Sequence, residues 1–172
     1  MENLNKNSCV FLFIVIMSWL FMFLDSYALS GEPIGYAGLE WGSGIESAKD
    51  MVFKQQDPDN PDIFIYANSQ ETFLWHGIFL DRIDYVFNKG KFCSVLLFAK
   101  GPEKANTLKS KLYELYGNAW AMSGVATLAE WRGDKTDIRF TYATDKEETI
   151  VQFLSKEYGQ SGDMSRGDRQ HQ

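Results

Sequence analysis

Residues 102–117 read PEKANTLKSKLYELYG, and Ala105, Leu108, Leu112, Leu115 and Tyr116 recur three or four apart. That spacing places them in one apolar stripe along a helix, with Lys104, Lys109, Lys111 and Glu114 on the other flank. Pro102 suits the first helical position, where its missing N–H is not needed. Gly117 suits the stop, because it can take the left-handed conformation beyond the last turn. A helix with one greasy stripe needs an apolar surface to lie on, and β-rich sequence flanks it on both sides.

Upstream, residues 63–67, 73–79 and 82–87 are strand-like. Asn88-Lys89-Gly90 is a hairpin signal, with Gly90 able to adopt positive φ. Residues 92–99, FCSVLLFA, return as the most apolar strand beyond the N-terminal segment. The turn can hold two or three residues, so the register of this hairpin stays open, and a slip of one residue exchanges faces. Downstream, residues 125–131, 137–144 and 149–158 predict three more strands. The middle one alternates Ile138, Phe140 and Tyr142 against Arg139 and Thr141. Ser43-Gly44-Ile45-Glu46 matches a capping box, and Ile45, Ala48 and Val52 keep helical spacing behind it, which predicts a first helix over 44–55. Residues 56–61, QDPDNP, end it with turn chemistry. The expectation is an α+β, two-layer domain: an antiparallel sheet of about six strands with two helices on one face.

The N-terminus is different material. Residues 9–24, CVFLFIVIMSWLFMFL, form an apolar run between Lys6 and Asp25, and small residues follow at Ser26, Ala28 and Ser30. This is the layout of a secretory signal peptide over residues 1–30, cut after Ala28 or after Ser30. Retention as a membrane anchor is the rival, and stable membrane insertion is expected only in that case. The remainder divides into one domain over 31–158 and a loose tail over 159–172, and its location is periplasmic or secreted. Removing the leader leaves Cys93 as the sole cysteine, so no internal disulfide can form. The net charge of −6 gives a nucleic-acid partner no electrostatic footprint.

Residues 92–99 are apolar on both faces of the strand, with Phe92, Leu96 and Phe98 on one side and Cys93, Val95, Leu97 and Ala99 on the other. Two helices roof only one side of a sheet. The other needs the chain's own ends, a second subunit, a partner or a ligand. Trp75, Tyr85, Trp131 and Tyr142 are the aromatics expected to line that helix-free face as ligand-binding residues. The competing expectation is that sheet curvature and residues 31–41 bury them as ordinary core.

General acid–base chemistry would fall to His76 with Asp81 or Asp84. No nucleophile elbow, zinc-binding helix or phosphate-cradling glycine loop is present, and no catalytic residue or cofactor is expected. Asp57, Asp59, Asn60 and Asp62 bunch oxygen atoms. The sixth and twelfth positions of a calcium loop, Asp62 and Asn68, are not the Gly and Glu it requires, so no metal is expected. Arg132-Gly133-Asp134 and Arg166-Gly167-Asp168 repeat an adhesive tripeptide, and Gly-Asp is also ordinary turn chemistry.

The apolar leader, the Leu39-Glu40-Trp41-Gly42-Ser43 approach to a capped helix, the hairpins, and the helix ending Leu115-Tyr116-Gly117 together resemble small exported bacterial envelope proteins. The layout is similar to helix-plus-antiparallel-sheet modules of the β-lactamase-inhibitor-protein type and of outer-membrane-assembly lipoproteins, without the acylated cysteine of the latter. The resemblance implies binding of an envelope protein or a small ligand rather than catalysis. The alternatives are a cell-envelope hydrolase using His76 and a structural homodimer that closes its own sheet face.

Overall fold

The computed structural model describes residue 29, residues 31–122 and residues 127–159. The leader apart from Leu29, the start of the strand expected at 125, the second adhesive tripeptide and the tail beyond Gly159 lie outside the described residues. Twelve strands and one α-helix follow in order. They are β1 (Gly35–Tyr36), β2 (Leu39–Glu40), β3 (Met51–Gln56), β4 (Ile63–Asn68), β5 (Leu74–Trp75), β6 (Ile78–Phe79), β7 (Arg82–Asn88), β8 (Lys91–Lys100), α1 (Pro102–Tyr116), β9 (Ala121–Met122), β10 (Leu128–Arg132), β11 (Thr136–Ala143) and β12 (Glu148–Ser155).

Eight strands form one antiparallel sheet in the order β3-β4-β7-β8-β12-β11-β10-β9, and β1-β2 and β5-β6 are separate two-stranded hairpins. The sheet is thus two meanders joined where β8 meets β12, with α1 carrying the chain from the centre to the far edge. The antiparallel sheet and the helix at 102–116 match the sequence. The two-helix, six-strand layout is corrected: among the described residues there is one α-helix, and the fold is mostly β.

The first expected helix is the failure. Ile45–Ser47 makes a single 3-10 turn with no side-chain cap. Asp50 sits at φ 61, and residues 51–56 run on as strand. Val52 and Phe53, β-branched and aromatic, fit a pleated surface, and their pairing with Ala67 and Tyr66 of β4 outweighs the local helical spacing. The stretch expected at 73–79 is a tight hairpin instead, since His76 and Gly77 both take positive φ (46 and 83) and turn the chain between Trp75 and Ile78.

What the missing helix would have covered is covered by hairpins. One continuous core lies on a single face of the sheet and contains Ala105, Leu108 and Leu112 of α1, Trp75 and Ile78 of β5-β6, and packed residues Tyr36, Leu39 and Trp41 from β1-β2. Phe153 of β12 is where these covers meet. Its ring lies 6.5 Å from Tyr36, 6.0 Å from Trp75 and 6.2 Å from Tyr116. Burying Leu108 and Leu112 completely stabilises the helix by about 2–3 kcal/mol each.

The hairpin between β7 and β8 settles the open register. Lys89 and Gly90 form the two-residue turn, both at positive φ (50 and 75), and Asn88 faces Lys91. Phe87 then pairs with Phe92 while Val86 pairs with Ser94, so Cys93 is an extra, bulged residue. That bulge reverses the alternation. Phe92 joins Val95, Leu97 and Ala99 on the helix side, and only Leu96 and Phe98 of its expected companions stay on the other.

Candidate functional site

The four aromatics expected on the helix-free face are on the covered one. Trp75, Tyr85 and Trp131 are buried in the same core as Leu108 and Leu112, and Tyr142 packs against it. Trp131 donates its indole N–H to the Gly117 carbonyl (2.8 Å) and meets Tyr113 edge-on at 5.2 Å. Tyr85 donates its hydroxyl to the Glu71 carboxylate and lies 5.8 Å from Tyr36. Burial, with the Glu71 charge added, pushes both tyrosines well above the ordinary phenol range. Tyr36, from residues 31–41, covers Tyr85, in line with the competing expectation, while Trp131 is covered by Tyr113 of α1.

The other face has a different make-up. Register places Ser94 and Leu154 in one row, Asp84, Leu96, Gln152, Arg139 and Glu130 in the next, and Arg82, Phe98, Ile150, Thr141 and Leu128 in a third. Among the described residues α1 and the hairpins β1-β2 and β5-β6 contribute to the opposite core, while Leu74 and Phe79 of β5-β6 are exposed. On this side, among the described residues, Tyr158 and Leu96 pack against a small cluster of Ile63, Val86 and Cys93. Leu96, Ile150 and Leu154 are half-buried, and Gly159, beyond β12, lies close against the Leu154 side chain.

Ion pairs bracket this aliphatic strip. On one flank the buried Asp84 carboxylate accepts from Lys54 Nζ at 2.5 Å and pairs with Arg82 Nε at 3.1 Å, and Arg82 stacks over Phe98 at 3.5 Å. Lys54 reaches Asp84 because β3 bulges there, between Phe53 and Gln55. On the other flank Glu130 holds Arg139 at 2.9 Å and Arg132 at 3.8 Å, and Lys156 stands 3.6 Å from Asp137. Between that second group and Leu154 lies a shallow hollow of about 190 Å³, lined by Glu130, Arg132, Asp137, Arg139, Gln152 and Lys156 among others. Its donors and acceptors, set beside the half-buried Leu154, suit a partner that buries apolar surface while meeting charge at the rim.

The remaining candidates disperse. His76 is exposed at the tip of β5-β6 against Trp75. Among the described residues no hydrogen bond or ion pair joins it to Asp81 or Asp84. Asp81 accepts from the Lys100 amide (2.7 Å) and Lys104 Nζ (3.0 Å). Slight burial raises its carboxyl, but these hydrogen bonds and the two lysine charges outweigh that and hold it below the usual range. Asp57 Oδ1 accepts from the amides of Asp59 and Asn60, which is turn chemistry. Gly133 of the first adhesive tripeptide is buried, a Cβ there would stand 2.2 Å from Glu32 Oε1, and Arg132 stacks on Trp120 at 3.5 Å. Burial pushes the Cys93 thiol up to about 12, so it is a small hydrophobe at neutral pH. Among the described residues no helix is long and apolar enough to cross a membrane.

The Lys54–Asp84–Arg82 group escaped the sequence because it needs a bulge on one strand and a register across two others. The one legible hint was alternation in β11, which put Arg139 and Thr141 opposite Ile138 and Phe140. No family model, curated protein or solved structure matches this chain.

Proposed function

We propose that the chain is an exported accessory protein that binds a partner protein through the helix-free face of its large sheet, and that it is not an enzyme. The observation that carries this is the half-buried aliphatic strip Leu96, Ile150 and Leu154, set between two ion-paired flanks on the side of the sheet away from α1. A sheet in a protein of this size has its apolar side chains covered, and here three aliphatic residues remain half-open in the middle of the sheet, away from both edges. The contact residues are Leu96, Ile150, Gln152 and Leu154, with Arg139 and Lys54 at the rim. They replace the aromatics named from sequence. The apolar leader supports export, and the absence of a cysteine pair requires the core around Phe153 to hold the exported fold unaided.

The test is a matched pair of baits, wild type and Ile150→Glu, cross-linked in the envelope of the source cell and compared by mass spectrometry. The reading expects one or more partners enriched with wild type and lost with Ile150→Glu, while the melting temperature stays within a few degrees. Equal recovery by a folded Ile150→Glu bait would remove the face from the proposal. A dimer mass by light scattering that Ile150→Glu reduces to a monomer would make the partner a second copy of this chain.

A further inference from the structure

The small residues after the apolar run allow two cuts, since Ser26 and Ala28 suit one after Ala28, and Ala28 and Ser30 suit one after Ser30. The fold distinguishes them. Leu29 is only 8% exposed and belongs to the main core, in one cluster with Trp75, Tyr85 and Phe153. The segment that follows is fixed by specific bonds. Glu32 Oε1 accepts from the amides of Lys135 and Thr136, both at 2.5 Å. The Pro33 carbonyl accepts from Thr136 Oγ1 at 2.6 Å and from the Trp41 indole at 3.2 Å. Tyr36 then inserts beside Tyr85 and Phe153. Among the described residues Leu29 is therefore the first apolar anchor of the lead-in, ahead of the exposed Gly31.

We infer that the processing site is the Ala28–Leu29 peptide bond and that the mature protein begins at Leu29. This rests on the export reading above. The reaction is hydrolysis: water adds across the amide C–N bond, leaving a carboxylate on Ala28 and an ammonium group on Leu29, with no other reactant. A cut after Ser30 would discard a core side chain and leave the space it fills to be closed or wetted. Removing a buried leucine is a recognised source of large stability loss.

Secretion of the full 172-residue chain from a bacterial host, followed by intact-mass measurement of the exported fraction, tests it directly. The expected mass is that of residues 29–172. A mass beginning at Gly31 overturns this inference and leaves export standing. An unprocessed chain beginning at Met1 overturns the export reading itself, and this inference with it. The same full chain carrying Leu29→Ser keeps a small, cleavable sequence and removes only the anchor. Its mature form is expected to melt at least about 3 °C lower than wild type. An unchanged melting temperature would show that Leu29 anchors nothing and would also overturn the inference.

Discussion

The two faces of the large sheet are built from the same strands yet hold themselves together differently. On the covered face aromatic rings interlock: Tyr36, Trp75 and Tyr116 converge on Phe153, Trp41 lies 4.8 Å from Phe92, and Tyr66 lies 5.3 Å from Phe87. On the bare face aliphatic side chains lie between carboxylate–cation groups whose cations reach solvent. The difference shows that an aromatic strand residue is a poor guide to an open surface. The rings around Phe153 have neighbours from β1-β2, β5-β6 and α1. The open side is marked by branched aliphatics beside paired charges, which a sheet can carry without a roof.

If that division is right, damage to the covered face should cost most. Phe153→Ala removes the ring shared by both hairpins and the helix, and should lose about 3–5 kcal/mol in urea unfolding. A loss below about 1 kcal/mol would mean that the covers do not depend on one another. Trp131→Ala should likewise lower the melting temperature rather than act only on binding.

The pH dependence comes next. Cys93 is raised from 9 to about 12 and Tyr116 from 10 to about 12, both by burial, and Tyr36 and Tyr85 are raised as well. The folded chain favours the neutral form of each. Their contribution is therefore whole below pH 9, where the unfolded groups are also neutral, and is lost as pH rises from 9 toward 12. Cys93 alone should account for roughly 2 kcal/mol lost by pH 10.5, and Cys93→Ala should flatten that part of the curve. A stability profile level from pH 8 to 11 would contradict the burial of these groups.

Effects on the bare face should be smaller. Asp84→Asn leaves Lys54 and Arg82 without their carboxylate. Both cations reach solvent, so the expected loss is roughly 1–2 kcal/mol, below that of a fully enclosed pair. Leu154→Ser should cost under about 1 kcal/mol, since the side chain already borders water. If Leu154→Ser proved as damaging as Phe153→Ala, the two faces would not differ as described.

The sequence carried α1, the strands on either side of it and the Lys89–Gly90 turn, because each is written in local spacing and turn chemistry. It missed the fate of residues 44–56. Helical spacing at Ile45, Ala48 and Val52 competes there with pairing to β4, and pairing partners are invisible in one chain segment. It also missed the faces of β8. The bulge at Cys93 leaves no mark in composition, yet it moves Phe92 across the sheet. The aromatic site failed for the same reason: that Trp75 and Tyr85 are roofed depends on two-residue strands whose placement is purely tertiary.

The openness of the bare face is the claim on which the functional account stands, and a single thiol can measure it. Gln152→Cys places a reactive group amid Leu96, Arg139 and Leu154, with Cys93 as a buried internal control. In the purified monomer the account predicts alkylation of the introduced thiol within about tenfold of a free peptide thiol, while Cys93 stays unreacted. Protection of the introduced thiol equal to that of Cys93 would mean the chain already covers this face, and the binding proposal would fall.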